Sequence, residues 1–343
     1  MKKLLNTLYI TSSDKYLSLD GENVVVLSEK QEVGRVPLHN LEAIVTFGFT
    51  GASPALMGAC AKRNVALSFL SQSGRFLARV SGEVRGNVLL RKKQYFLSED
   101  EEASLTIAKN FITGKVFNAR WVLERAARDH AMRLDMERMK SVSGQLKKSL
   151  GTVRRCDSMG TLRGIEGEAA GLYFSVFDEM ILQQKEDFSF HRRSRRPPLD
   201  ATNALLSFTY TLLTNMCAAA LETVGFDPYV GFMHTDRPGR ASLALDLMEE
   251  LRAVFADRFV LSLINKRMVS SSGFRQKENG AVIMDDDTRK SVLSAWQMRK
   301  QEVIRHPFLE EKVEWGMVPY TQALLLARYI RGDLDEYPPF MWK

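Results

Sequence analysis

Over roughly the first ninety positions, short runs of β-branched and aromatic residues are separated by Gly, Asn, Asp and Ser. Such runs are typical of short strands with turns between them. Asp20-Gly21, between two of the runs, is a tight-hairpin signal. Residues 53–64 instead have the three-to-four-residue spacing of one short helix. The predicted strands cover residues 4–11, 16–19, 24–27, 33–36, 43–47, 66–70 and 76–80.

The pattern changes near residue 95. Ser98-Glu99-Asp100-Glu101 is typical of a capping box that opens a helix. From there to about residue 270, apolar residues recur every three or four positions and strand signals are scarce. The sequence therefore predicts an α+β, multidomain protein: a β-rich N-terminal domain at 1–94, a short linker, and a larger all-α domain at 98–343. The last ten residues are predicted to form an irregular tail.

One uncharged stretch, residues 201–221, has the length of a membrane span. Polar residues such as Asn203 and Asn215 interrupt it, which favours a buried helix of a large core. The first seven residues lack the long apolar stretch of a secretory signal, and the three cysteines are far apart. These features predict a cytoplasmic protein without a membrane anchor, a disulfide framework or a thiolate zinc site.

Composition adds a weak indication of a partner. The chain has 45% hydrophobic residues, which is ordinary for a globular protein and excludes disorder as its main state. Lys and Arg number 48 against 41 acids, a net charge of +7. This excess favours a polyanionic partner such as nucleic acid only slightly.

His234 is the histidine with the most suggestive surroundings. Gly231, Pro238 and Gly239 mark a loop around it, and a predicted helix follows. Asp246 and Glu249 lie three apart on that helix and share a face. One imidazole and two carboxylates suit Mn²⁺ or Mg²⁺. The alternative is that these acids, with Glu250, form a solvated helix face and that the histidine is an ordinary loop residue.

Glu166 is a second candidate because small residues surround it in the sequence Gly164-Ile165-Glu166-Gly167-Glu168-Ala169-Ala170-Gly171. Small residues let a helix approach a second backbone or a ligand closely. On a helix Glu166 shares a face with Ala169 and Tyr173, where a carboxylate needs a partner such as a metal or an arginine. The alternative is tight helix packing with an exposed Glu166.

Basic residues lie on both sides of the Glu166 segment. An arginine-rich stretch around Pro197 follows it, and guanidinium groups bind phosphate well. A solvated surface loop is the alternative. Cys156, beside Arg154 and Arg155, could act as a thiol nucleophile, but no histidine is positioned by sequence as its base. The basic residues before Glu166 are Lys140, Lys147, Lys148 and Arg154, and those after it are Arg192, Arg193, Arg195 and Arg196.

Taken together, these segments resemble the CRISPR-associated integrase of spacer acquisition, the Cas1 family, and most closely its type I members, of subtype I-C. Four motifs in order over residues 160–270 carry the resemblance, and the two-domain plan agrees with it. The motifs are Glu166-Gly167-Glu168-Ala169-Ala170 with Tyr173-Phe174, Arg195-Arg196-Pro197-Pro198-Leu199-Asp200 with Asn203-Ala204-Leu205-Leu206-Ser207, Gly231-Phe232-Met233-His234, and Asp246-Leu247-Met248-Glu249.

The resemblance implies a metal-dependent DNA endonuclease and integrase that inserts spacers into a CRISPR array by strand transfer. It implies a homodimer, with the interface in the β-rich domain, assembled with Cas2 and in some systems Cas4. Carried over by position, the Mn²⁺ or Mg²⁺ ligands are Glu166, His234 and Glu249. Asp246 is a nearby catalytic acid, and Asp246 or Glu250 could replace Glu249 as the third ligand.

DNA phosphates are expected to contact basic residues around these ligands. Two other functions stay open from the sequence: a non-catalytic nucleic-acid-binding scaffold, and a metal-dependent phosphoesterase that acts on small substrates. The expected phosphate contacts are Arg192, Arg193, Arg195, Arg196, Arg237, Lys266 and Arg267.

Overall fold

The computed structural model describes residues 6–72, 74–82 and 87–343, so residues 4 and 5 of the first predicted strand and the start of the chain lie outside the described residues. All seven predicted strands and the predicted helix are confirmed. A two-residue strand, β6, was too short to predict. The elements are β1 (Asn6–Ile10), β2 (Lys15–Asp20), β3 (Asn23–Ser28), β4 (Gln31–Pro37), β5 (Leu41–Phe47), β6 (Gly51–Ala52), α1 (Pro54–Arg63), β7 (Ala66–Leu70) and β8 (Phe76–Val80).

These strands form two four-stranded sheets, in the orders β4-β3-β2-β6 and β1-β5-β7-β8. The β2–β3 hairpin turns at Asp20-Gly21, and Gly21 takes a φ of 57° there. Strands β1, β5 and β7 run parallel. Helix α1 leads from β6 of the first sheet to β7 of the second and packs in a core that both sheets share. Leu17, Ile44 and Leu56 are among the fully buried side chains of that core. The predicted runs of β-branched and aromatic residues therefore correspond to strands of these two sheets.

The second part of the chain is mainly helical, as predicted. Two hairpins of three-residue strands lie between the helices, a detail that the prediction did not include. Strands this short give no readable alternation. The elements are α2 (Val88–Glu99), α3 (Glu101–Asp129), α4 (Met136–Arg155), α5 (Met159–Ser175), α6 (Ala201–Val224), α7 (Ser242–Glu249), α8 (Arg258–Asn265), β9 (Phe274–Gln276), β10 (Val282–Met284), α9 (Asp286–Gln301), β11 (Val303–Arg305), β12 (Lys312–Glu314) and α10 (Val318–Arg331).

The predicted linker and helix cap near residue 95 differ from the structure. Residues 95–97 lie inside α2, and Ser98 is also helical, with its hydroxyl donating to the Tyr95 carbonyl at 2.8 Å. The cap of α3 is Asp100, whose carboxylate accepts the Ala103 N–H at 2.9 Å. Two candidate capping residues, Ser98 and Asp100, lie two positions apart here, and the second one is used. The domain bounds 1–94 and 98–343 themselves stay a prediction.

Helix α6 explains the long uncharged stretch. Among the described residues it is the one helix long and apolar enough to cross a membrane by length and composition alone. However, 67% of its most apolar window is buried inside the fold, and core helices pass the same test. Leu205, Leu213 and Leu221 are fully buried. The structure therefore agrees with the prediction of a core helix.

Helix α3 crosses α7 at very short range, and this crossing positions the candidate site. A Cβ on Gly114 would stand 3.0 Å from Glu250 Cγ and 3.3 Å from Pro339 Cβ. The close approach therefore depends on a glycine at this point. The next residue, Lys115, is consequently held beside α7.

The C-terminal tail has no regular secondary structure, as predicted, yet it is part of the core. Tyr337 and Phe340 are buried. The Asn118 amide of α3 donates to the Phe340 carbonyl at 2.6 Å, and its oxygen accepts the Trp342 N–H at 2.9 Å. The tail therefore closes the α3–α7 crossing from outside.

Truncating Phe340 should destabilise the whole helical part. Phe340→Ala removes a fully buried ring, so we expect the free energy of unfolding to fall by about 3–5 kcal/mol. Guanidinium unfolding followed by circular dichroism measures the change. Met132→Ala, at a fully exposed position, should change it by less than about 0.5 kcal/mol. Equal unfolding midpoints for Phe340→Ala and the wild type would show that the tail is not part of the core.

Candidate active site

Helix α7 carries two of the candidate acids and is buried on nearly every side. Leu243 and Leu247 point to the core, as the spacing predicts. Asp246 is fully buried, and Glu249 is only 3% exposed. The alternative of a solvated acidic face is therefore wrong. Each buried carboxylate needs partners, because an unpaired charge inside a protein is very costly.

Asp246 holds the loop that carries His234. Its carboxylate accepts the backbone N–H groups of Phe232 at 2.7 Å, Met233 at 3.0 Å and His234 at 3.0 Å. It also contacts His234 Nδ1 at 2.6 Å. A Cβ at Gly231 would stand 2.9 Å from Asp246 Oδ2, so this tight loop requires glycine there. With Nδ1 engaged, Nε2 is the ring nitrogen left for a ligand.

Glu249 lies between two cations. Its Oε1 pairs with Arg252 at 2.9 Å, and its Oε2 lies 2.7 Å from the Lys115 ammonium. Burial by itself raises the pKa of Glu249, but Arg252 and Lys115 outweigh burial and lower the pKa to about 2. Glu249 is therefore ionised at neutral pH. Arg252 begins a π-helical turn, Arg252–Asp257, between α7 and α8.

Glu166 reaches the same cation from α5. Its Oε1 pairs with Lys115, so one ammonium contacts both carboxylates. The partner expected for Glu166 is thus a lysine, and the alternative of an exposed Glu166 is not what the structure shows, since its side chain is 23% exposed. Arg163, one turn earlier, donates to the Met233 carbonyl at 2.6 Å and ties α5 to the His234 loop.

The glycines around Glu166 differ from Ala169, which is buried in the core. A Cβ on Gly160, Gly164, Gly167 or Gly171 would meet no other described residue within 4 Å. At spacings of four, three and four, these glycines share one face of α5. That face lies open, so close helix packing inside the chain does not account for its composition.

Glu250 points away from Glu166 and Glu249 and binds the C-terminal tail. Its carboxylate accepts hydrogen bonds from the Tyr337 hydroxyl at 2.5 Å, the Gln322 amide at 2.9 Å and the Phe340 N–H at 2.5 Å. Burial raises the pKa of Glu250 to about 8, although these three donors oppose the rise. Its oxygens are therefore occupied by structural contacts.

The donor chemistry suits a hard divalent cation. Two carboxylates and an imidazole are the oxygen and nitrogen donors that Mn²⁺ or Mg²⁺ accepts. Glu249 Oε2 is buried, and its close polar contact among the described residues is the Lys115 ammonium at 2.7 Å. As they stand, no three His, Cys, Asp or Glu side chains in the described ranges converge on one point. Lys115 occupies the space between the two carboxylates instead.

The predicted phosphate-binding residues divide into two groups. Six are exposed and available to a ligand. Arg193 is half-buried: it donates to Asn203 Oδ1 at 2.6 Å and Ser207 Oγ at 3.0 Å, and it lies over the Tyr210 ring. Its contacts give it a role in fixing the loop onto α6. The exposed residues are Arg192, Arg195, Arg196, Arg237, Lys266 and Arg267.

Cys156 lacks the environment of a catalytic thiol. It is buried, and burial raises the pKa of its thiol although Lys109 lies near enough to oppose the rise. Thiol catalysis needs the opposite change, a lowered pKa and an accessible sulfur.

Three residues of this arrangement were missed from the sequence: Lys115, Arg252 and Arg163. Arg252 could have been found, because it follows Glu249 by three positions on the continuing helix. Lys115 gives no local signal, since it lies 51 residues before Glu166 in an ordinary helical pattern. The position of Lys115 beside Glu166 and Glu249 follows only from the structure, in which α3 crosses α7.

Comparison with known protein families gives a consistent result. The family model for CRISPR-associated protein Cas1 matches residues 8–298. CRISPR-associated endonuclease Cas1 2 of Rhodospirillum rubrum is 53% identical over 347 residues, covering 100% of both chains. CRISPR-associated endonuclease Cas1 1 of Chlorobaculum tepidum is 50% identical over 343 residues, again covering 100% of both. A CRISPR-associated exonuclease Cas4/endonuclease Cas1 fusion of Geobacter sulfurreducens is 34% identical, over 97% of this chain and 60% of the fusion.

Solved structures share the fold. A casposase bound to integration product has a TM-score of 0.84 at 24% identity, covering 99% of this chain and 95% of the casposase. A Cas6-RT-Cas1–Cas2 complex chain has a TM-score of 0.83 at 22% identity, covering 100% of this chain and 36% of that one. At these identities the likeness concerns the fold alone. From the family model and the full-length relatives together, the chain belongs to the Cas1 family of CRISPR-associated endonucleases.

Proposed function

We propose that this Cas1 protein is a metal-dependent DNA endonuclease and integrase that inserts short DNA fragments into a CRISPR array. The observation that carries the proposal is the meeting of Glu166 and Glu249 on one cation, beside an imidazole that Asp246 orients. Segments far apart in the chain bring these groups together, and the family relationship supplies the class of substrate.

The proposed metal ligands are Glu166, Glu249 and His234 through Nε2, with Mn²⁺ or Mg²⁺ as the ion. Asp246 and Glu250 remain the predicted substitutes for the third ligand, but their contacts argue for other roles. All the oxygens of Asp246 are engaged by the His234 loop. Those of Glu250 are engaged by the tail.

A divalent ion at this site would polarise a phosphodiester and lower the pKa of an attacking DNA 3′-hydroxyl. The chain's own residues supply orientation and charge. Asp246 fixes the His234 ring, as carboxylates do for metal-binding histidines. Arg252 and Lys115 are positioned to stabilise negative charge that builds on the phosphoryl oxygens.

Partners follow from the same proposal. We propose a homodimer that binds double-stranded DNA and assembles with Cas2, since one chain of like fold is part of a Cas1–Cas2 complex. Cas4 is a further proposed partner, because a relative carries Cas4 and Cas1 in one chain. The cytoplasm, where a CRISPR array is accessible, is the proposed location.

Two other functions fit the site less well. A non-catalytic scaffold gives no reason for an ionised Glu249 buried between two cations. A phosphoesterase of small substrates gives no reason for exposed arginines on several separate segments. Both are tested by the assay below.

Removing a ligand should abolish strand transfer. We expect Glu166→Gln and His234→Ala each to lower the yield at least about 100-fold, and EDTA to do the same to the wild type, because the transition-state charge loses its counter-ion. The assay joins a short duplex to a plasmid carrying a repeat, with Cas2 and Mn²⁺. Glu168→Gln, on the exposed side of α5, should keep wild-type yield. Undiminished product from both ligand variants would point to the scaffold.

Helix α4 carries further exposed cations, which would enlarge the proposed DNA-binding surface beyond the arginine-rich segment at 192–196. Residues 138–156 contain six cations and no acid. Lys140, Lys147, Lys148 and Arg154 are exposed, and among the described residues none of them is in an ion pair. At 100° per residue they lie within about 120° of each other, on a face about 20 Å long. An unpaired stripe of this length suits a DNA backbone.

Charge reversal on α4 should weaken DNA binding in a salt-dependent way. Lys147→Glu with Lys148→Glu should lower affinity for a duplex roughly tenfold at low salt and reduce the slope of log affinity against log salt by about two. Fluorescence anisotropy in EDTA measures binding without cleavage. Lys30→Glu with Lys62→Glu, in the β-rich part, is the matched control for net charge. An unchanged slope in the α4 variant would exclude this face from DNA contact.

A further inference from the structure

We propose that Lys115 acts as an internal counter-ion that keeps divalent-metal affinity low until DNA is bound, so that metal and DNA bind cooperatively. The inference rests on the proposed function. Its basis is the position of the Lys115 ammonium, which contacts Glu166 Oε1 and lies 2.7 Å from Glu249 Oε2. Both oxygens belong to proposed metal ligands.

The charges in direct contact at this point already cancel. Glu166 and Glu249 are matched by Lys115 and Arg252. Asp246 lies behind His234, and its charge is shared among four donors. A divalent ion that entered this largely buried cluster would meet two cations, Lys115 and Arg252, at short range. Binding therefore requires that a cation leave or that further anions arrive.

Lys115 is the cation that can leave. Arg252 is fixed by its pair with Glu249 Oε1 at 2.9 Å and by the Tyr210 ring, 4.9 Å below its guanidinium. Among the described residues, the Lys115 ammonium contacts only the two carboxylates. A lysine on a flexible stem can swing to a new anion, whereas a stacked guanidinium cannot do so without losing its ring contact.

DNA phosphates are the anions that arrive in the proposed reaction. A phosphate at the site would attract Lys115 away from the carboxylates and offset the positive charge of the ion. Metal would then bind more tightly in the presence of DNA. By thermodynamic linkage, DNA would bind more tightly in the presence of metal by the same factor.

The test measures Mn²⁺ affinity, not activity, using the electron paramagnetic resonance signal of free Mn²⁺. The full-length protein is titrated alone and with a duplex of cleavage-resistant phosphorothioate linkages. For the wild type we expect affinity at least about tenfold higher with the duplex. For Lys115→Met, which keeps chain length and removes charge, we expect affinity without DNA about tenfold above wild type and little further gain from DNA.

Two variants separate charge from other effects. Lys115→Arg keeps the cation and should bind Mn²⁺ no more tightly than wild type without DNA. Lys109→Met, on the same helix but away from both carboxylates, should behave as wild type. Equal DNA-free affinities for Lys115→Met and wild type would overturn the inference. If Lys115→Met does not fold, tighter DNA-free binding by Lys115→Arg would overturn it.

Failure of the proposed function has a different signature. In that case the wild type would show no protein-dependent Mn²⁺ binding even with the duplex, or Glu166→Gln would bind Mn²⁺ as well as wild type. Binding that depends on Glu166 but not on Lys115 would leave the proposed function intact and remove the coupling.

Discussion

Three buried carboxylates, two on α7 and one at its C-terminal end, are the constraint around which the site is built. Asp246 and Glu249 of α7 and Glu250, the residue that caps it, are all nearly inaccessible to water, and a buried charge is tolerated only with well-placed partners. Each carboxylate finds partners of a different kind. Asp246 takes backbone N–H groups of the His234 loop, Glu249 takes two cations, and Glu250 takes donors of the C-terminal tail. The loop, the site and the tail are thus all fixed to one helix.

Glu249 and Glu250 are neighbours of the same type, yet their pKa values are shifted in opposite directions. Cations hold the pKa of Glu249 at about 2, while burial among neutral donors raises that of Glu250 to about 8. Environment, not residue type, assigns the roles, as in other sites that use two carboxylates differently. Glu249 is charged and faces Lys115, which suits a metal ligand. Glu250 serves the closure of the core, and through Gly114 it also sets how closely α3 passes.

The sequence predicted what depends on local pattern. Strand runs, the core helix α6, and the spacing of Asp246 and Glu249 with the leucines behind them are all periodic features, and the structure contains them. The cap at Asp100 was missed because Ser98 offers a competing local signal. Lys115 and the packing of Phe340 were missed because their partners lie 51 and 90 residues away. No periodicity reports a contact made by two helices that cross.

The ion pairs that Lys115 and Arg252 make with Glu166 and Glu249 stabilise the fold. In the proposed function they also lower the affinity of the site for metal. Without Lys115 and Arg252, Glu249 would be an uncompensated charge in the core, and α7 could not stay buried before a metal arrived. A nuclease that depended on its ion for folding would be unstable whenever the ion was scarce. Pairing the ligands with cations removes that dependence. In the proposed function the same pairing raises the free energy of metal entry, so the contacts that let the chain fold without metal would also keep metal affinity low until DNA is bound.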